Sequence, residues 1–249
     1  MQTQHFYAVI IGTEILNGRR HDAHFEFVKK TLAQFGHTLF ASMIIKDDQE
    51  LIKQTYHLIK NDPKAVMFSF GGIGSTPDDL TREIAADVFT TRPLKRHEKF
   101  EADIIERFGE GAYPHRIHMS DLPEGAMLLQ NPVNNMSGFY LDNRYFFVPG
   151  FPEMAHPMIK NAIETFYAQS MQSFTQTLTA ECSENDLIDL MKQLPASIEL
   201  SSLPQLIHNK PRVAISLSGF DQTEVERYFA TFKSYLEAQE IAYTLEDLA

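Results

Sequence analysis

The chain has 249 residues, of which 43% are hydrophobic and 22% are charged, a composition that suits one large globular core or two smaller ones and excludes a disordered or fibrous protein. Its 22 basic and 33 acidic residues give a formal net charge of −11, which argues against nucleic acid and anionic membranes as partners. The single cysteine, Cys182, excludes an internal disulfide. Because no signal peptide and no apolar run of about 20 residues is recognisable, we expect a soluble, cytoplasmic protein.

The first part of the chain alternates short β-branched or aromatic runs with amphipathic stretches, which is typical of βαβ units around a mostly parallel sheet. In chain order, the spacing of apolar residues predicts a strand at 6–11, a helix at 23–35, a strand at 38–45, a helix at 49–60, a strand at 65–70 and helices at about 80–89 and 98–108. Two hairpin strands at 138–141 and 144–148 and a helix at 153–167 follow.

The tail has a different character, since eleven of the twelve glycines lie between Gly12 and Gly150 and the net charge is −7 from Ala168 onward against −4 before it. We therefore predict two domains, 1–168 and 169–249. The tail pattern predicts strand 174–180, helix 184–193, strands 198–202 and 212–218, helix 223–238 and strand 241–246. This order is that of a small ferredoxin-like β-α-β-β-α-β domain. We expect 203–211 to be a loop, because it is polar and contains two prolines.

The sharpest chemical signature is the segment 71–79, Gly-Gly-Ile-Gly-Ser-Thr-Pro-Asp-Asp, between a predicted buried strand and a predicted helix. Its glycines allow positive φ angles and let successive N–H groups approach an anion, to which the following helix adds its dipole. Asp78 and Asp79 would repel a phosphate unless a divalent cation bridges carboxylate and phosphate oxygens. The same segment also suits a tight turn in which one of these aspartates caps the helix.

Further polar residues follow the other predicted parallel strands. Gly12, Thr13 and Glu14 come after the first strand and Asp47 after the second. Because parallel strands end at one edge of the sheet, we expect these residues and the glycine-rich loop to converge there. Taken singly, Asp47 suits the N-cap of the next helix and Glu14 a solvated loop.

Four separated motifs occur in the order GTEILNG, GGIGSTPDDLT, LPEGAMLLQNPVNNMSGF and VPGFPEM. Over about residues 5–167 they resemble the molybdopterin-binding (MoaB/Mog-like) domain, and most of all the version at the N-terminus of the competence/damage-inducible protein A (CinA) family. The tail is similar to the small α/β domain that follows in that family. The family's nicotinamide-nucleotide deamidase domain is not expected in this chain, so deamidase activity is not transferred.

The resemblance implies a three-layer α/β/α domain that holds a phosphorylated nucleotide or pterin at the strand ends. It implies catalytic roles for Asp47 and Asp79, with a divalent metal ion (Mg²⁺, Mn²⁺ or Co²⁺) held by these two residues and Asp78. The expected ligand-binding residues are Gly12, Thr13, Glu14, Gly71, Gly72, Gly74, Ser75, Thr76, Asn131, Ser137, Gly138, Pro149, Gly150 and Pro152.

The chain departs from the family pattern at four positions around the implied ligand. Ser75 and Ser137 stand where the family has prolines, Asn134 stands at a glycine position, and His24 stands where asparagine is common. His24 also has helical spacing to His21, but nothing in the sequence completes a zinc site with them. The aspartates of the implied metal site are unchanged, so these departures bear on substrate identity more than on metal-assisted phosphate chemistry.

Our leading hypothesis is metal-dependent hydrolysis of a phosphoanhydride, because similar CinA domains cleave ADP-ribose and a bound metal can activate water. One alternative is adenylyl transfer to molybdopterin. The other is a binding module for nucleotide or molybdopterin that has lost the chemistry. The resemblance further implies a homo-oligomer, a dimer or trimer. Because the tail is acidic and poor in glycine, we expect it to pack against a neighbouring subunit.

Overall fold

A six-stranded sheet forms the centre of the first of two units into which the chain divides, Met1–Ala168 and Gln169–Ala249. The computed structural model describes residues 4–168 and 174–246. The strands of the first unit are β1 His5–Ile11, β2 Leu39–Ile45, β3 Ala65–Phe70, β4 Leu94–Arg96, β5 Asp121–Pro123, β6 Met127–Leu129, β7 Gly138–Leu141 and β8 Tyr145–Val148. Its helices are α1 Thr13–Leu16, α2 His24–Gln34, α3 Gln49–Lys60, α4 Thr81–Ala85, α5 Glu98–Phe108 and α6 Pro152–Phe166.

The strand order in this sheet is β2-β1-β3-β8-β7-β6. The first four strands are parallel, and β7 and β6 continue the sheet as antiparallel neighbours. The strands β4 and β5 form a separate two-stranded antiparallel ribbon. This arrangement confirms the predicted mostly parallel sheet, and it brings the ends of β1, β2, β3 and β8 to one edge.

Helices cover both faces of the sheet, as the predicted three-layer architecture requires. Every residue of β3 is buried, because a central parallel strand is covered on both sides. One core joins alternate residues of β1 and β3 to α3, α4 and α5, and the other joins the remaining residues to α2 and α6. The buried aromatic rings Phe68, Phe70, Phe139, Phe146 and Phe147 fill these two layers.

The local structure of the first unit follows its sequence closely, with a few differences. Asp48 caps α3, since its Oδ1 accepts the N–H of Leu51 at 2.9 Å. The predicted helix at 80–89 is α4 followed by a π-helical turn, Ala86–Thr90, which ends at Thr91 with a positive φ of 56°. The short strands β4, β5 and β6 were not predicted, because three-residue strands carry too little periodicity to recognise.

The second unit has the predicted β-α-β-β-α-β order. It comprises β9 Phe174–Ala180, a 3₁₀ turn Glu184–Leu187, α7 Ile188–Met191, β10 Glu199–Ile207, β11 Lys210–Gly219, α8 Gln222–Ala238 and β12 Tyr243–Glu246. The antiparallel sheet runs β10-β11-β9-β12, and α8 packs its apolar face on it through Val225, Phe229, Phe232 and Leu236.

The prediction of a loop at 203–211 was wrong. These residues extend β10 and β11 into a long hairpin whose two-residue turn is His208-Asn209, both with positive φ. The two prolines are tolerated because Pro204 lies on the edge strand β10, and Pro211 lies before Val213, where β11 begins to pair with β9. Within residues 4–168 and 174–246, no helix is long and apolar enough to cross a membrane.

Candidate functional site

A cleft of about 540 Å³ opens in the first unit where the strands β1, β2, β3 and β8 end. This edge is where ligands bind in open α/β sheets, and the volume is in the range of small-molecule sites. The structure brings to this cleft many of the residues that the sequence predicts for the site, namely Glu14, Asp47, Gly71, Gly72, Gly74, Ser75, Thr76, Asp78, Asp79, Ser137, Pro149 and Gly150.

The glycine-rich loop turns four consecutive carbonyl groups toward the start of α4. Thr81 donates hydrogen bonds to the first two carbonyl groups: its Oγ1 donates to the Gly71 oxygen and its N–H to the Gly72 oxygen, each at 3.0 Å. The buried Arg82 takes the next two, since its Nη1 donates to the carbonyl oxygens of Ile73 and Gly74 at 2.5 and 2.6 Å.

This arrangement decides where the amide groups of the loop point. In a trans peptide the N–H lies opposite the preceding carbonyl, so the N–H groups of residues 72–75 point away from Thr81 and Arg82. None of these four N–H groups has an acceptor among the residues that the structure describes. A row of unpaired N–H groups is the feature that backbone nests for anions share.

Two glycines of this loop are required by space as well as by backbone angles. Gly71 has a φ of 99°, and a Cβ atom there would lie 2.6 Å from the carbonyl oxygen of Ile11. Gly72 has a φ of 70°, and a Cβ atom there would overlap Thr81 Oγ1. The loop can therefore lie against β1 and α4 only with glycine at both positions.

Asp47 is held at the cleft by Thr13. Its Oδ2 accepts hydrogen bonds from the backbone N–H and the Oγ1 of Thr13, both at 2.8 Å. The interpretation of Asp47 as a helix N-cap was wrong, because Asp48 caps α3 and leaves Asp47 free to turn toward β1. Glu14 lies half-buried in α1 and lines the same cleft.

Asp79 is held in the same manner from within its own loop. Its Oδ2 accepts the N–H of Thr76 at 2.8 Å and the Thr76 Oγ1 at 2.6 Å. Neither Asp78 nor Asp79 caps α4, because the N-cap residue Leu80 has no side-chain capping bond. Hydrogen bonding within this turn also lowers the pKa of the exposed Asp78 carboxyl below its usual range.

The donor set in the cleft suits a divalent cation only together with a ligand. Among residues 4–168 and 174–246, no three histidine, cysteine, aspartate or glutamate side chains are grouped so that they could hold a metal ion alone. The second oxygen of Asp47 and of Asp79, the Oδ1, accepts no hydrogen bond from a described residue. One or two such carboxylates plus phosphate oxygens and water are the usual set for Mg²⁺.

Five predicted ligand-binding residues do not line the cleft but build its walls. Thr13 orients Asp47, Gly12 leaves room for the Glu14 carboxylate, and Pro152 begins α6. Gly138 lets β7 approach the Phe147 carbonyl of β8. Asn131 is fully buried, and its Nδ2 donates to Asn134 Oδ1 at 2.8 Å and to the Met136 carbonyl at 3.1 Å.

The structure adds cleft residues that were not predicted. They are large apolar or cationic side chains, namely Ile11, Arg20, Ile73, Arg107, Phe108, Met119, Met136, Phe151 and Met154. The cleft also contains Asn134, one of the four positions that the sequence places around the ligand. Ile73, Met136, Phe151 and Met154 lie within the recognised motifs, whereas nothing in the sequence marks Arg107 and Phe108, which come from α5, outside all four motifs. The guanidinium of Arg20 lies over the Phe151 ring, 5.3 Å from its centroid, at this site.

Comparison with known proteins shows the family to which the first unit is similar. The model of a family described as "Probable molybdopterin binding domain" matches residues 7–169. A CinA-like protein of Nostoc punctiforme is 32% identical over 157 residues, which make up 60% of this chain and 37% of that protein. A CinA-like protein of Acaryochloris marina is 27% identical over 241 residues, 92% of this chain and 57% of that protein. The chain thus spans less than two thirds of either relative.

A solved structure, described as the protein CinA with unknown function from Thermoplasma acidophilum, is similar with a TM-score of 0.59 and 24% identity, and covers 66% of this chain and 97% of its own. This likeness supports the fold. Because the family model matches well over half of the sequence, as the four motifs predicted, the chain belongs to the molybdopterin-binding domain family.

Proposed function

We propose that the cleft binds a phosphorylated nucleotide or pterin and hydrolyses a phosphoanhydride, such as the pyrophosphate of ADP-ribose, with a divalent metal ion. The observation that supports binding is the glycine-rich loop, whose carbonyl groups are occupied by Thr81 and Arg82 while its N–H groups are left for an anion. The acidic side chains in the same cleft would otherwise repel phosphate, so they support a cation as the third participant.

In this proposal the chain's own residues bind and orient the ligand. The N–H groups of residues 72–75 hold a phosphate, and Thr13 and Thr76 fix the carboxylates of Asp47 and Asp79 so that each offers one oxygen. These two carboxylates would hold the cation. A divalent ion bound there supplies charge neutralisation at the phosphate and a lowered pKa for a bound water.

The test is turnover of ADP-ribose by the purified full chain with Mg²⁺, Mn²⁺ or Co²⁺, measured as release of AMP. We expect Asp79→Asn to lower the rate by about 100-fold or more, the scale on which one electrostatic contact to developing charge acts. Asp189→Asn is the matched control, because Asp189 is 94% exposed and lies in the second unit. Equal rates in the unchanged chain, Asp79→Asn and Asp189→Asn would contradict hydrolysis. Absence of turnover with any of the metals and a panel of nucleotides would contradict it as well.

A second candidate is adenylyl transfer to molybdopterin, which the family match favours because it points to a pterin ligand. The same nest and carboxylates would serve it. Restored cofactor synthesis in an adenylyltransferase-deficient strain would support this candidate over hydrolysis.

The third candidate is a binding module without chemistry. Thermal stabilisation by a ligand without turnover would support it, since a ligand at 100 times its Kd adds about 2.7 kcal/mol to the free energy of unfolding.

A further inference from the structure

Arg20 and Arg107 are cationic side chains that line a cleft otherwise rich in carboxylates. Arg107 is already engaged, because its Nη1 donates to the Asn134 carbonyl oxygen at 3.1 Å and its guanidinium lies over Phe108. Arg20 differs, since within residues 4–168 and 174–246 its guanidinium makes neither a hydrogen bond nor an ion pair. It lies over the Phe151 ring instead, 5.3 Å from the centroid. The N–H donors of Arg20 are therefore left for an acceptor that enters the cleft.

The backbone around Arg20 places this guanidinium beside the glycine-rich loop. The N–H of Arg20 donates to the Glu14 carbonyl oxygen at 3.0 Å, which turns the chain after α1 back toward the end of β1. Phe151, on which the guanidinium lies, follows Gly150, and a Cβ atom added to Gly150 would lie 3.5 Å from Gly71 Cα. Arg20 and Phe151 thus lie near the end of the loop where its unpaired N–H groups begin.

The stack on Phe151 keeps Arg20 available for an anion. Phe151 is 54% exposed, and a cation over an exposed ring is held more weakly than a guanidinium whose two N–H groups point at two oxygens of one phosphate. The stack nevertheless keeps the guanidinium in the cleft, where Arg20 is half-buried, whereas the neighbouring Arg19 is exposed and does not line the cleft. A phosphate within reach would therefore draw Arg20 away from the ring.

A ligand with two linked phosphates needs such a donor. The N–H groups of residues 72–75 can surround one phosphate, and the next phosphate along the ligand carries a further negative charge. The carboxylates that line the same cleft would repel that charge. A guanidinium is always charged, and its fork of N–H donors matches the oxygens of a phosphate. Arg20 meets this requirement without any change in the glycine-rich loop.

We propose that Arg20 binds the second phosphate of a diphosphate ligand, and that the cleft thereby selects diphosphates over monophosphates. This inference rests on the proposed function, because the first phosphate is placed by the glycine-rich loop. It assigns substrate selection to a residue that lies outside all four sequence motifs. The guanidinium leaves the Phe151 ring as the ligand binds.

The test compares two ligands that share adenosine and differ in the number of phosphates. AMP has one phosphate, and adenosine 5′-(α,β-methylene)diphosphate has two, joined by a bridge that resists hydrolysis. Isothermal titration calorimetry on the full chain with Mg²⁺ measures both Kd values. We expect the diphosphate to bind about tenfold or more tightly than AMP, because a hydrogen bond to a charged group is worth about that factor. In Arg20→Gln this ratio should fall about tenfold, while the Kd of AMP stays unchanged.

Two further variants keep the result interpretable. Arg19→Gln is the matched control, because it removes the same charge from the next residue, which is exposed and does not line the cleft, and its ratio should equal that of the unchanged chain. Arg20→Met retains a long side chain that can lie on the Phe151 ring but has no charge. The ratio should fall in Arg20→Met as it does in Arg20→Gln, which separates the lost charge from any loss of packing.

The failure of this inference and that of the proposed function give different results. A ratio that is the same in the unchanged chain, Arg20→Gln and Arg20→Met would overturn the role of Arg20 and leave phosphate binding in place. An equal loss of AMP and diphosphate affinity in both Arg20 variants would overturn it too, because Arg20 would then not distinguish the second phosphate from the first. Absence of binding by either ligand to the unchanged chain would overturn the proposed function and this inference with it.

Discussion

His24 lies buried behind the cleft in an unusual pair with a second histidine. Its ring stacks on Phe70 with centroids 4.2 Å apart, and its Nδ1 is 3.3 Å from the Nε2 of His156. Burial lowers the pKa of His24 to about 4, with a further lowering from His156 and opposing contributions from Asp22 and the Gly150 backbone. The pair is therefore neutral at pH 7, with one ring donating to the other.

This pair predicts a loss of stability in mild acid. Above pH 6.5 His24 is neutral in both states, but below it the unfolded chain binds a proton that the folded chain refuses until about pH 4. The free energy of unfolding should fall by up to roughly 3 kcal/mol across that window and level off below it. Urea unfolding between pH 4 and 7 measures this, and His24→Asn should flatten the profile, whereas the exposed His21→Asn should not. Parallel profiles in all three proteins would show that His24 is not the group that titrates.

Single residues show how far the sequence can be read. Asp47 and Asp79 could be assigned to the cleft because residues that follow parallel strands lie at the same edge of the sheet, where the strands end. The role of Arg82 in orienting the glycine-rich loop could not, because nothing in the sequence shows that its guanidinium turns back onto carbonyls eight and nine residues earlier. The hydrogen bonds of Asn134 with Arg107 and Met154 could not be predicted either, because these two residues are distant from it in the chain.

The glycine-rich loop depends on close contact with β1. We expect Gly71→Ala to destabilise the chain by about 2 kcal/mol or more, because alanine at a φ of 99° is strained and its Cβ would meet a backbone carbonyl that cannot move aside. Gly111→Ala is the control, since only the end of Arg116 lies near its added Cβ, at 3.8 Å, and a change within about 0.5 kcal/mol is expected. Chemical denaturation compares them, and similar midpoints for both variants would argue against the close approach.

The elements themselves divide into those that the sequence predicts and those that it does not. The strands β1 and β3 and the helices α3, α5 and α8 were recognised to within one residue, because a short continuous apolar run indicates a buried strand and apolar residues at helical spacing indicate an amphipathic helix. The hairpin β10–β11 was missed at its tip because proline and polar residues normally indicate a loop, whereas an edge strand leaves one side of the backbone unpaired. Whether a strand lies at the edge or in the centre of a sheet depends on its neighbouring strands, and the local sequence does not show this.

Each of the two units has its own buried clusters. Phe232 is fully buried in the core of the second unit with Leu178 and Ile215. We expect Phe232→Ala to destabilise that unit by about 3–5 kcal/mol, because it leaves a cavity. Hydrogen exchange followed by mass spectrometry should then show faster exchange in 174–246 than in 4–168, relative to the unchanged chain. Phe220 is 43% exposed, so Phe220→Ala should leave hydrogen exchange in both units unaltered. If Phe232→Ala accelerated exchange equally in the two units, that result would contradict separate cores.

The stack of Arg20 on Phe151 has a practical consequence for the whole molecule, which contains no tryptophan. The Phe151 ring is 54% exposed where it lines the cleft, so a tryptophan introduced there by Phe151→Trp would be the sole indole in 249 residues. Its fluorescence would respond to the guanidinium above it and to anything that displaces that cation. Ligand entry could then be followed by stopped-flow in real time, without a dye or a labelled substrate.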